Sequence, residues 1–269
     1  CSELANIKID TQNSKFVYQN GLLMPSTKES ILYVSTKYYE NSTTFEIPEG
    51  VVDFSCNTAG LKSVTKLVMP ATTTNISART LMTNIKEVEI AATNENLKTS
   101  EDCIYTKTEP ETLLFCYSKA TEIELQEPAK VIGKYAFNGA TKATMIELNE
   151  KTEKIESQVF SACYNLKNVE IGKSVSSINP IFALGNYNIN LTINTENPNY
   201  VMDDGVLYNK NKDTIITVLK RINGKFELKD SVKIIRTQAF KAQAGMTEIN
   251  LNKVSEIGHS VFEGCNGLK

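Results

Sequence analysis

Six cysteines, a single histidine and 31 acidic side chains are the raw material for chemistry in this 269-residue chain. Zinc sites draw on thiolates or imidazoles spaced a few residues apart. No Cys-x-x-Cys pair occurs and His259 stands alone between Gly258 and Ser260, so neither a zinc site nor a histidine-based triad is expected. The serines form no Gly-x-Ser-x-Gly elbow, and no glycine-rich phosphate loop appears. Asp203-Asp204-Gly205 begins like a calcium loop but lacks the spaced acids and terminal Glu that such a loop requires. It reads instead as a tight turn entering a hairpin. Sequons at Asn41, Asn75 and Asn190 carry meaning only in a eukaryotic source, and Asn190 is expected inside a strand. The residues therefore predict no catalytic site, no metal and no cofactor. What stands out is a recurrence of Glu, visible only against the elements that position it.

Those elements repeat. Phe137 to Phe160 is 23 residues and Phe240 to Phe262 is 22. An aliphatic residue stands five positions before each Phe (Ile132, Ile155, Ile235, Ile257). Apolar residues follow at fixed intervals, as in Leu166, Val169 and Ile171 after Phe160. Degenerate copies replace the Phe by Ala59 and Leu81, and the Ile178 copy slips its Phe by one. Alternation at the end of the frame predicts a short strand with Val169 and Ile171 inside and Asn168 and Glu170 outside. One coil cannot close a core alone, so coils must stack and bury their apolar sides against neighbours.

A longer unit recurs at about 13–54, 94–137 and 197–240, the last two aligning over 44 residues without a gap. Each holds two apolar runs joined by a polar turn, the pattern of a β-hairpin inserted into a coil. Cys103 and Cys116 fall on opposite strands of one such hairpin and can face each other. The gapless alignment puts Val206 and Leu219 in the equivalent places, so the hairpin does not need a disulfide there. Cys1, Cys163 and Cys265 share one repeat position, held elsewhere by Ala140 and Gln243, and are expected as small buried residues.

The segment Ile155 to Ile171, IESQVFSACYNLKNVEI, and the segment Ile257 to Leu268, IGHSVFEGCNGL, resemble the BspA-like leucine-rich repeats of microbial surface proteins. Asp203 to Tyr208, DDGVLY, is similar to an insertion common in that family. The resemblance implies a leucine-rich-repeat solenoid: a parallel β-ladder with short helical or irregular outer segments and β-hairpin insertions. It also implies an extracellular or cell-surface location and adhesion to host or cell-surface macromolecules. Cys1 to Ile9 matches Cys163 to Ile171 position for position, so the chain is expected to be a fragment of a longer solenoid, open at both ends and prone to self-association.

In this frame the residue between the last two strand anchors runs Lys8, Glu46, Val68, Glu89, Glu124, Glu147, Glu170, Thr192, Glu227, Asn250. In a parallel ladder Glu46, Glu89, Glu124, Glu147, Glu170 and Glu227 would line one concave face as the candidate partner-binding surface. A solvated face is the simpler reading, because two charges about 4.8 Å apart in water repel by only about 0.9 kcal/mol. The net charge of −2 argues against a phosphate-tracking nucleic-acid binder, and no apolar run reaches the roughly 18 residues of a membrane-spanning helix. A non-enzymatic recognition protein with a protein or cell-surface macromolecule as partner is expected. The alternative is a targeting or spacer arm of a larger extracellular enzyme or wall-anchored protein.

Overall fold

A computed structural model describes residues 4, 6–58, 60–77, 84–180 and 189–269. The frame positions at Ala59 and Leu81, most of the Ile178 copy, and Cys1 lie outside the described residues. The chain forms two compact units, Cys1–Lys119 with Gly133–Ala140 and Ala120–Ile132 with Thr141–Lys269.

Each coil contributes a three- or four-residue strand followed by a two-residue strand, and strands of successive coils pair in parallel. In the first unit Thr44–Glu46, Lys66–Met69 and Glu87–Ile90 form one such sheet. In the second unit Glu122–Glu124, Met145–Glu147, Asn168–Ile171 and Asn190–Ile193 form another, and Gly224–Phe226 with Met246–Ile249 a third. Among the described residues of the second unit the ladder is thus two separate sheets rather than one unbroken row. Residues 194–223, which carry a hairpin-bearing unit, intervene between the second and third.

The expected register holds where it can be read. Ile155, Phe160 and Val169 are fully buried, with Leu166 and Ile171 close behind, while Glu170 is exposed. Asn168 is half-buried rather than exposed, because the Asn190 amide of the next coil donates to its Oδ1 at 3.2 Å. Aromatic rings pack within and between coils: Phe45 on Phe54 at 5.6 Å within one coil of the first unit, Phe226 edge-on to Phe240 at 5.1 Å within one coil of the second, and Phe240 against Phe262 of the next coil at 5.9 Å. His259 is exposed, as its place in the frame implies.

The segments around each Phe are turns, and among the described residues there is no helix. The reason is local. Tyr135, Gln158, Gln238 and Ser260, two residues before each Phe, have φ between 52° and 63°. Gly139, Ala162, Ala242 and Gly264, two residues after it, also lie in the left-handed region. A right-handed helix cannot run through residues held there.

Each hairpin insertion contributes three antiparallel strands, one more than the sequence pattern showed: Phe16–Gln19, Leu22–Pro25 and Tyr33–Val34; Leu97–Ser100, Cys103–Thr106 and Thr112–Cys116; Tyr200–Asp203, Val206–Asn209 and Thr214–Val218, the last of which also pairs in parallel with Ile234–Ile235. Their first turns, Asn20-Gly21, Glu101-Asp102 and Asp204-Gly205, have positive φ at both residues. That is the two-residue turn whose twist matches paired strands.

The gapless alignment of the last two long units slips by one residue inside the hairpin. Cys103 faces Cys116, but Val206 faces Val218, not Leu219. Thr106 closes the first turn by accepting from the Thr112 N–H six residues on. Asn209 closes the second by accepting from the Thr214 N–H five residues on, and the shorter turn moves the second strand up by one.

Candidate functional site

The exposed side of the parallel sheets carries the Glu row, and its chemistry differs from sheet to sheet. In the first unit Glu46, Val68 and Glu89 are in register. Lys66 reaches between two carboxylates of the neighbouring strand, with Nζ 2.7 Å from Glu87 Oε1 and 2.9 Å from Glu89 Oε2. Those two bonds hold the Lys66 ammonium above its usual range. In the third sheet Lys225 bridges Glu227 of its own segment, at 2.9 Å, and Glu248 of the neighbouring strand, at 3.4 Å. In each patch one ammonium offsets part of the charge of two carboxylates.

The second sheet is not. Glu124, Glu147 and Glu170 are direct parallel neighbours, each in register with the next. Among the described residues no ion pair reaches any of the three. Burial raises the carboxyl pKa of half-buried Glu147, and the charges of Glu170, Glu124 and Glu150 raise it further, with no cation acting against them. Glu147, Glu150 and Glu170 line a shallow cleft of about 370 Å³ with Thr192 and Asn194. Three carboxylates along one edge do not enclose a cation as a dedicated calcium site does, and among the described residues no three His, Cys, Asp or Glu side chains are grouped to hold a metal. Of the six carboxylates read from the sequence, the structure brings Glu124, Glu147 and Glu170 together as a strip without ion pairs, leaves Glu46 exposed, and pairs Glu89 and Glu227 each with a lysine shared with a second carboxylate. Lys66 and Lys225 were the missing information. Both lie on the strand face, at or next to the position before the central anchor, a place the Glu-only row did not track.

Two buried asparagines were also missed. Asn94 and Asn197 open the second and third long units and are 1% and 0% exposed. The Asn197 amide donates to the Gly172 and Val175 carbonyls at 3.0 Å, and its Oδ1 accepts from the Asn199 and Tyr200 N–H groups. Asn94 repeats the pattern against Pro70 and Thr73. They tie one coil to the next through its backbone. Their shared place at the head of the aligned units was the available signal.

Stacked coils with parallel strands, small outer turns and a broad exposed strand face define a leucine-rich-repeat solenoid. The chain belongs to the BspA type leucine-rich repeat family: six copies of the BspA type leucine rich repeat region match residues 108–224 and 220–269, more than half of the chain. No curated protein matches it. Among solved structures it is similar to the pneumococcal vaccine antigen PcpA, at 17% identity over 96% of this chain and 70% of that one, with a TM-score of 0.54. It is also similar to a leucine-rich cell surface protein from Faecalibacterium prausnitzii A2-165, at 17% identity, 97% and 83% coverage and a TM-score of 0.47. A leucine-rich repeat protein from Eubacterium ventriosum aligns at 17% identity over 94% of this chain and 62% of its own, with a TM-score of 0.42. Identities this low speak to the fold alone. Leucine-rich repeats of this family point to a protein-binding or cell-surface role, and among the described residues no helix is long and apolar enough to cross a membrane.

Proposed function

We propose that the chain is a non-enzymatic recognition protein, at the cell surface or secreted, that adheres to a protein or other cell-surface macromolecule through the exposed strand face of its second unit. The observation that carries this is the registered strip Glu124–Glu147–Glu170. Its charge is unneutralised, although the same face elsewhere carries an intercalated lysine. A strip of one sign steers an oppositely charged segment, and its pull weakens as salt screens it. The partner is therefore a protein with a basic segment. A broad solvated face without a deep dry pocket among the described residues suits such recognition better than catalysis. The test titrates a basic extracellular-matrix fragment at low and high ionic strength against the parent and the triple variant Glu124→Gln, Glu147→Gln, Glu170→Gln. Weaker binding and a flatter salt dependence in the variant are expected. Equal binding at every salt concentration would reduce the strip to a solvated face.

A further inference from the structure

We propose that Cys103 and Cys116 are a disulfide-forming pair, a covalent staple across the hairpin insertion of the first unit. The two residues are direct cross-strand partners in the antiparallel pair Cys103–Thr106 with Thr112–Cys116. The Tyr117 N–H donates to the Asp102 carbonyl at 2.8 Å. That bond, one residue beyond each cysteine, places Cys103 and Cys116 at a non-hydrogen-bonded position of the ladder. Side chains there approach most closely, with Cα atoms about 4.5 Å apart, inside the roughly 4.4–6.8 Å span that a disulfide bridges without backbone movement.

Both thiols are free, at 0% and 2% exposure. Burial pushes the Cys103 thiol well above its ordinary pKa, and Cys116 beside it adds to the shift. The thiolate is the attacking species in exchange, so the bond must form before the hairpin closes over the pair. In the third long unit Val206 and Val218 meet at the same ladder position. The fold therefore accepts either two packed apolar groups or a staple there.

The oxidant is a small-molecule disulfide such as oxidised glutathione. One cysteine thiolate attacks it, forming a mixed disulfide and releasing one glutathione thiol. The second thiolate then attacks the protein sulfur of that mixed disulfide, releasing a second glutathione thiol. One S–S bond is broken and one formed, the protein loses two electrons, and its two thiol protons leave with the two glutathiones. The extracellular location proposed above is a compartment where such a bond persists.

The experiment folds the parent chain from denaturant in a buffer of oxidised and reduced glutathione, alkylates it in denaturant and measures its intact mass and peptide map. Two fewer alkylated cysteines than in the reduced control, with Cys103 linked to Cys116, are expected. Thermal unfolding with and without reductant provides the second readout. The parent should melt about 5 °C lower once reduced. A Cys103→Val/Cys116→Val variant, which copies the pair in the third long unit, should fold and show no such shift. All six cysteines alkylated after oxidative folding, a bond mapping elsewhere, or the same reductant shift in parent and variant each overturn the proposal.

Discussion

Glu147 and Asp203 are two acids whose surroundings, burial for the first and hydrogen bonds for the second, push them in opposite directions, and the pH dependence of stability should show both. Burial, with Glu170, Glu124 and Glu150 nearby, holds the folded-state pKa of Glu147 above its ordinary value. The folded protein binds that proton more tightly than the unfolded chain, so ionised Glu147 destabilises the fold, and the effect disappears as pH falls through the raised value toward the unfolded value of about 4.3. Glu147→Gln should therefore raise the melting temperature at pH 7, with parent and variant converging near pH 4. Asp203 is held down to about 2 by hydrogen bonds to Lys212 and Lys229. Its contribution is present above about pH 4 and is lost as pH falls toward 2. Asp203→Asn should lower the melting temperature at pH 7 and match the parent near pH 2. Melts of parent and variants between pH 2 and 7 check both signs. Asn197 acts through satisfaction rather than charge. Asn197→Ala takes the buried partner from the Gly172 carbonyl and from the Asn199 and Tyr200 N–H groups, while the Val175 carbonyl keeps only the Asn199 amide at 3.2 Å. It should cost about 1–3 kcal/mol in denaturant unfolding.

At the level of the element, the turn around each Phe is where sequence reading and structure part. The frame residues were legible because burial demands apolar side chains at fixed spacing. The choice between helix and turn was not, because it rests on φ at residues such as Gln158 and Ala242, whose side chains do not advertise a left-handed backbone. The Gly139 and Gly264 counterparts were a faint signal. The third strand of each insertion was legible after all in Asn20-Gly21 and Asp204-Gly205, strong hairpin dipeptides, but Glu101-Asp102 in the middle copy masks the pattern. The Glu row could be placed from spacing alone, whereas which of its members are paired depends on lysines that lie off that spacing. The turn geometry makes a reciprocal prediction. Ala242, at φ 63°, pays the left-handed cost of an L-residue, so Ala242→Gly should stabilise by about 0.5–1 kcal/mol. Gly264→Ala should destabilise, because its φ is 76° and an added Cβ would come within 3.2 Å of the Ala242 Cα. Chemical denaturation of the two single variants gives the signs.

For the molecule as a whole, a stack of coils has no single central core whose loss must be felt everywhere at once. In the second unit Phe240 is fully buried among Phe226, Ile235, Met246 and Val261, all from its own coil and its immediate neighbours. Stability in such a stack is close to a sum of coil terms and nearest-neighbour interface terms. Damage should therefore spread by adjacency and fade with the number of coils crossed. Phe240→Ala, which removes about 3–5 kcal/mol of packing, tests this against the alternative of all-or-none unfolding. Native-state hydrogen exchange should quicken at Thr214–Val218 and Ile234–Ile235, which pair in parallel at the site, and at Glu256–Ile257 beyond them. Met145–Glu147 and Asn168–Ile171, several coils away in the same unit, should keep the parent's protection. If exchange instead accelerates by one common factor throughout the second unit, that unit opens as a single cooperative block. The acidic strip on Asn168–Ile171 and its neighbours would then be only as durable as the weakest coil in the unit.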